Sequence, residues 1–474
     1  MDATPKTLVM KFGGTSVGTS DAMRQVVNII RETYRLWPRQ VVITSALSGV
    51  TDLLVNGAIN AARGDMAPFY RAENELHERH HILADALVTD LARQNQVKQE
   101  IDFLIADFAN LCQAIRVLGE ASPRALDAVS GLGERLSVRI LAAAVESIQL
   151  PSQFIESTQL IITDDHFQNA LPDMEVTTQC SRRLLEPILD RQHIPIVTGF
   201  IGATANGIPT TLGRGGSDYT ASILGVALGA AEVWIWTDVD GVMTADPRLV
   251  PEARTIPVLS YREVAEMAYY GAKVLHPKCI HPVIEAGIGL RVCNTFNPSN
   301  PGTRLVIERE VNPSSTLKAV TAIRNLQLVT VVGRGMLGVP GVAGRIFSAV
   351  ATTGISVPLI IESTSEQSIC FAAPKESIPQ VIRALHANLS QEFQRHDIDQ
   401  AYASEEVDII TVISPGLRRT PGIAGRIFSV LGNAGINILA ISYGASDVSL
   451  NLVVSAEDTR SAINLLHGLI IVGD

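Results

Sequence analysis

Residues 211–220, TLGRGGSDYT, place three glycines, an arginine and an aspartate within eight positions. An apolar run precedes them and ASILGVALGA follows at helical spacing, with Gly229 as a stop, so the stretch reads as strand, glycine turn and helix. Ser217 or Asp218 can cap that helix, and Gly215 and Gly216 let bare backbone N–H groups approach an anion at its N-terminus. Arg214 adds a fork for a carboxylate or phosphate. A second group suits a transferring phosphate: Lys11 ends an apolar run directly before Gly13, Gly14, Thr15 and Ser16, an ammonium beside exposed N–H groups at a helix start. Singly, each reads equally well as an ordinary capped turn or a surface lysine.

Two other patterns carry less. His77-Glu78-Arg79-His80-His81 has the spacing of zinc-protease ligands on a helix, but a third ligand and a cleft are not evident, and a solvated helix face explains it. Gly333-Arg-Gly335-Met-Leu-Gly338 fits the dinucleotide fingerprint, yet its own duplicate carries Ser414-Pro-Gly416-Leu-Arg-Arg, so a loop is the better reading. The P-loop pattern is absent, and no resident metal site is expected.

The elements that must position these groups alternate between strand and helix. Residues 8–12, 40–45, 195–201 and 233–239 read as buried strands followed by glycine or aspartate turns, the mark of a mostly parallel α/β sheet between helices. No glycine occurs between Gly64 and Gly119, so about 64–120 reads as a helical lobe. Ser260 and Glu263 form a capping box for a helix to Tyr270. Pro298, Pro301 and Gly302 mark a boundary, giving a first domain over 1–302 and a linker over 303–316. Residues 341–360 then align without gaps on 422–441, with 10 of 20 positions identical, so two copies of a ferredoxin-like α+β module follow, over 317–400 and 401–474.

At 474 residues with 46% hydrophobic and 18% charged content, the chain reads as a soluble protein of two or three domains. A net charge of -10 disfavours nucleic acid or an anionic membrane as partner, and no apolar run is long enough to span one. Five scattered cysteines and no signal peptide fit a cytoplasmic setting.

Lys11-Phe-Gly-Gly-Thr-Ser16, residues 45–51, Gly133-Glu134-Arg-Leu-Ser137, Gly199-Phe200, Leu212-Gly-Arg-Gly-Gly-Ser-Asp-Tyr219, Trp236-Thr-Asp238, Asp246-Pro-Arg248 and Gly271-Ala-Lys-Val-Leu-His-Pro277 together resemble the aspartokinases, in that family's order and over nearly the whole chain. The resemblance implies the amino acid kinase fold with two C-terminal ACT modules. It also implies transfer of the ATP γ-phosphate to the β-carboxylate of L-aspartate, giving 4-phospho-L-aspartate, the first step of lysine, threonine and methionine biosynthesis. By the same analogy Lys11 steadies the γ-phosphate, Asp218 organises the centre, Glu134 meets the substrate ammonium and Arg214 its α-carboxylate. Ser45, Thr51, Phe200, Gly216 and Ser217 complete the aspartate site. Lys11, Gly13, Gly14, Thr15, Ser16, Thr237, Asp238, Met243, Arg248, Lys273 and Val274 hold the nucleotide, with Mg²⁺ accompanying ATP. Met243 stands where the family usually has tyrosine beside the adenine. The β-carboxylate of free aspartate, with a pKa near ~3.9, is already ionised at neutral pH, so no general base is required.

In the family, small amino acids bind the first ACT module at a dimer interface and lower activity. The matching positions here are Met336, Gly338, Gly341, Ser365, Glu366 and Gln367, and a homodimer or higher oligomer is implied. Lysine-sensitive relatives often have aspartate where Pro358 stands, so threonine is favoured over lysine as effector. A kinase for glutamate or carbamate, an inactive sensor and a zinc hydrolase are the rival readings.

Overall fold

The computed structural model describes residues 6–271, 275, 277–307, 317–336, 339, 341–362, 367–417, 420–444 and 447–471. The chain forms two compact units, one of Met1–Val242, Thr255–Tyr261 and Val274–Arg309, the other of Met243–Arg254, Arg262–Lys273 and Glu310–Asp474.

The first unit is built on an eight-stranded sheet in the order Ser152–Ile155, Ile194–Thr198, Arg39–Thr44, Thr7–Phe12, Glu232–Thr237, Gly289–Asn294, Thr303–Val306 and Val258–Ser260. All neighbouring strands are parallel except Gly289–Asn294 with Thr303–Val306. TLVMKF and RQVVIT are buried along almost their whole length because helices cover both faces of the sheet. Leu8, Met10 and Phe12 pack with Met23, Ile30, Leu136 and Ile140 in one aliphatic core, each such side chain stabilising the fold by about 1.5–3 kcal/mol. Lys11 is the one charged residue of its strand.

Three sequence expectations shift in this unit, while the helical lobe stands. The run 195–201 is not one strand: it stops at Thr198, and Ile201–Thr204 starts a separate three-stranded sheet with Ile162–Thr163 and Pro209–Thr211. The break is at Phe200, held at φ 67 with its N–H donated to Thr220 Oγ1 at 3.0 Å. Nor is 303–316 wholly a linker, because Thr303–Val306 belongs to the central sheet. Gly302, at φ 69, turns the chain back so closely that a Cβ there would lie 1.9 Å from the Val292 carbonyl oxygen, which makes Pro301-Gly302 a reversal within the domain. The lobe of about 64–120 contains two long helices, Ala67–Leu87 and Leu91–Leu118, the second capped by Asp90. Finally, the helix after the glycine turn is Gly216–Ala227, entered through Gly215 at φ 73, so Ser217 and Asp218 stand inside its first turn and do not cap it.

The second unit has a six-stranded antiparallel sheet in the order Leu359–Glu362, Ser368–Pro374, Ala319–Val332, Gln400–Ile413, Ser449–Ser455 and Ala440–Tyr443. The long strands Ala319–Val332 and Gln400–Ile413 each serve both modules, with a register shift between Ile323 and Leu326 separating the halves. Residues 319–323 pair with 409–413 and so complete the second module from a position before the first. A cut at 400 and 401 therefore divides a continuous strand. Residues 243–254 also belong here: Ala245 and Val250 pack with Ile410, Leu452 and Leu466, and Thr244 meets His467 Nε2 at 2.8 Å. Glu263, at the start of the helix Tyr261–Tyr269, forms a buried ion pair with Lys318.

Candidate active site

At the C-terminal ends of the parallel strands lies a cavity of about 470 Å³, the usual ligand position in such sheets. Lys11, the penultimate residue of its strand, reaches it, and its Nζ stands 2.6 Å from Asp218 Oδ1. Asp218 Oδ1 accepts no aligned hydrogen bond, so the contact is ionic, and both side chains are largely buried. The turn after Lys11 is anchored by Gly13 N–H to the Trp236 carbonyl at 3.2 Å. It packs against the next turn, where Ser48 N–H donates to the Gly14 carbonyl at 3.1 Å and a Cβ at Gly14 would lie 3.0 Å from Ala46 O.

Glu134 enters the cavity from the first turn of the helix Leu132–Ser147 and is 3% exposed. Its Oε1 accepts the Ala46 N–H at 3.1 Å, while Oε2 is buried without a hydrogen bond. Burial pushes its pKa up to about 8, against the opposing pull of the Ala46 N–H and the Lys11 charge. A carboxylate in that state is poised to take a cationic partner.

Ser45, Thr51, Phe200, Arg214, Gly216 and Ser217 line the same cavity. Arg214 is exposed at its rim, and no described carboxylate pairs with it. Glycine is required at two places behind this wall: a Cβ on Gly216 would come 2.6 Å from the Phe200 ring, and one on Gly199 equally close to Ser217. All nine residues expected for catalysis and aspartate binding are thus brought together.

The expected nucleotide residues fall on several segments of the chain. Gly13, Gly14 and Thr15 sit in the turn after Lys11, but the Ser16 hydroxyl is buried against Thr295 Oγ1 at 2.7 Å and its N–H donates to the Gly13 carbonyl at 3.0 Å. Thr237 donates to Asp238 Oδ1 at 3.1 Å at the end of the strand Glu232–Thr237. Met243 and Arg248 belong to the second unit, where Arg248 pairs with Asp246 at 2.7 Å, and Lys273 and Val274 lie outside the described residues. Of the effector positions, Met336 is in the core of the first module, Gly341 at φ 86 precedes the helix Val342–Ala351, and the Gln367 carbonyl accepts the Gly333 N–H at 3.0 Å. Gly338, Ser365 and Glu366 lie outside the described residues.

Sequence reasoning missed the supports of the glycine turn. Asp127, 2% exposed, accepts the Gln168 N–H, the Thr211 N–H at 2.9 Å and the Thr211 hydroxyl at 2.8 Å, and with Ser130 and Gln168 it lines the cavity. Lys278 Nζ donates to the Leu212 carbonyl at 3.2 Å and to Asn169 Oδ1 at 2.9 Å. Nothing in the local sequence distinguishes these residues, because their partners are distant in the chain.

Residues 6–294 match the amino acid kinase family, and 329–389 and 410–469 match the ACT domain. Aspartokinase 1, chloroplastic, of Arabidopsis thaliana is 31% identical over 475 residues, covering 97% of this chain and 79% of that protein. The chain belongs to the aspartokinase family. Another similar protein is the bifunctional aspartokinase/homoserine dehydrogenase 1, chloroplastic, of Zea mays, 36% identical over 97% of this chain and 50% of its own length, so the chain spans about half of such bifunctional aspartokinase relatives. Among solved structures, E. coli aspartokinase III in complex with aspartate and ADP superposes with a TM-score of 0.80 at 29% identity, covering 98% of this chain and 99% of the other. The two units described above thus carry the amino acid kinase fold and the ACT domains of an aspartokinase.

Proposed function

We propose that the chain transfers the γ-phosphoryl group of ATP to the β-carboxylate of L-aspartate, yielding 4-phospho-L-aspartate and ADP. The observation that carries this reading is the arrangement of charge in the cavity, where the half-satisfied Glu134, the rim Arg214 and the Lys11–Asp218 pair surround one space. Glu134 takes the substrate ammonium and Arg214 its α-carboxylate, which directs the β-carboxylate toward Lys11. A carboxylate oxygen attacks the γ-phosphorus, the bond to the β,γ-bridging oxygen breaks, and ADP leaves. The nucleophile is already ionised, so no proton is abstracted. Lys11 neutralises charge on the transferring group and Asp218 holds the Lys11 ammonium in place. Mg²⁺ enters with ATP as part of the substrate. Gly13, Gly14, Thr15, Ser16, Thr237, Asp238, Met243, Arg248, Lys273 and Val274 are assigned to the nucleotide.

The E. coli relative binds aspartate and ADP in one structure and lysine and aspartate in another, which supports both this substrate and an amino-acid effector at the ACT modules. Threonine is the effector we favour, since Pro358 offers no carboxylate for the ammonium of a lysine side chain. Assembly through the ACT modules as a homodimer or larger oligomer, placement at the head of lysine, threonine and methionine biosynthesis, and a cytoplasmic location belong to the same proposal. No described helix is long and apolar enough to cross a membrane.

A coupled ADP-release assay with aspartate, glutamate and carbamate tests the reading. Aspartate alone should support turnover, and Lys11→Ala should lower kcat by about 10²–10³-fold. Turnover with another acid and none with aspartate would refute it.

A further inference from the structure

The third ligand that the run 77–81 lacks in sequence is supplied by the fold. Asp102, on the helix Leu91–Leu118, stands beside His77 and His81 on the helix Ala67–Leu87. His77 Nδ1 is 3.0 Å and His81 Nε2 is 2.8 Å from the same oxygen, Asp102 Oδ1. The two imidazoles meet edge to face at 5.7 Å, and one donor atom from each of the three residues lies within 4.8 Å of the others.

We propose that His77, His81 and Asp102 bind one divalent transition-metal ion of the Zn²⁺ type, which clamps the two long helices together. Histidines at i and i+4 share a helix face, and two neutral imidazoles with one carboxylate are a donor set suited to Zn²⁺ or Co²⁺. The same set is poor for Mg²⁺, which prefers oxygen ligands, so the site is chemically separate from the metal that accompanies ATP. Bonds of about 2.0–2.2 Å in a tetrahedral site put donor atoms roughly 3.3 Å apart, so the N···O gaps must open by only a few tenths of an ångström. The side chains of His77, His81 and Asp102 are 39%, 32% and 47% exposed, which leaves the fourth corner open to water.

The neighbouring groups do not compete for this site. His80 is fully buried and its Nδ1 lies 2.7 Å from the Leu76 carbonyl oxygen, so it belongs to the core. The Arg79 guanidinium is held by Glu75 at 3.2 Å and by the Ser48 carbonyl at 2.8 Å. Ser48 lies between the cavity residues Ser45 and Thr51, so the clamped helix is tied to the turn that borders the cavity, while the three ligands stand apart from it.

Untagged full-length chain, stripped with a chelator and kept in excess Mg²⁺, is titrated with Co²⁺ by visible absorption and then competed with Zn²⁺. One ion per chain is expected, displaced by Zn²⁺, with Zn²⁺ raising the thermal midpoint. Loss of an outer partner of a metal ligand typically weakens binding by about 10–100-fold, and Asp102→Asn or His81→Gln should weaken it at least that much and abolish the thermal shift. His77→Gln provides a further reading if either variant fails to fold, with far-UV circular dichroism reporting the helices. No saturable binding in excess Mg²⁺, or wild-type affinity in the folded variants, would overturn the proposal.

Discussion

Asp127 and Glu134 are both buried carboxylates on the wall of one cavity, and their surroundings are opposite. Asp127 is surrounded by donors from Gln168 and Thr211 and ties the helix Pro123–Ser130 to the strand Pro209–Thr211. Glu134 has one N–H donor on one oxygen and none on the other. Burial raises both pKa values, yet Asp127 has its partners within the protein, whereas Glu134 lacks one that a ligand can supply. A satisfied buried charge is scaffold, and a half-satisfied one beside an open space is a binding group.

The largest expected effect that separates them is on substrate affinity. With Glu134 as the proposed partner of the substrate ammonium, Glu134→Gln should lose about 2–5 kcal/mol of binding, so aspartate affinity measured by calorimetry should fall on the order of 100-fold or more. The folded protein should be no less stable, because the change removes a carboxylate that is costly to bury ionised.

Asp127→Asn should behave in the opposite way. Its new amide N–H₂ must face donors from Thr211 or Gln168, costing about 1–3 kcal/mol of stability by denaturant unfolding, with a smaller change in aspartate affinity. If Asp127→Asn instead lost affinity as Glu134→Gln does while keeping its stability, the division between scaffold and binding group would collapse.

The smallest effect is in pH dependence. With its pKa raised from 4.5 to about 8, Glu134 leaves the free folded protein holding more protons than the unfolded chain between those values. Stability should therefore decline as pH rises through that window, and Glu134→Gln should flatten the decline. Aspartate binding at pH 7 should release a proton, measurable as a dependence of binding enthalpy on buffer ionisation, and the release should fade above about pH 8.

Much of the site was legible in sequence, because each piece is local. Singly, Lys11 before two glycines and the turn 211–220 each read equally well as an ordinary turn, and only their order along the chain, with Gly133-Glu134-Arg-Leu-Ser137 between them, resembles one family's site. Parallel strands were equally readable, since burial on both faces demands continuous apolar runs. Phe200 was not readable as a break, because its left-handed φ depends on Thr220 on another element. Residues 243–254 could not be assigned to the C-terminal unit from their sequence, since only the fold sets Ala245 and Val250 against Ile410 and Leu452.

By itself the sequence determined the chemical groups, their local turns and helices, and the doubled C-terminal module, all of which rest on short-range rules of spacing and backbone geometry. Tertiary structure alone decided which groups meet: Lys11 with Asp218, Asp127 with Thr211, residues 319–323 with the second module, and Asp102 with His77 and His81. Such pairings depend on how sheets and helices pack across long separations in the chain, and that packing is set by the summed burial of the whole core, which no local pattern records.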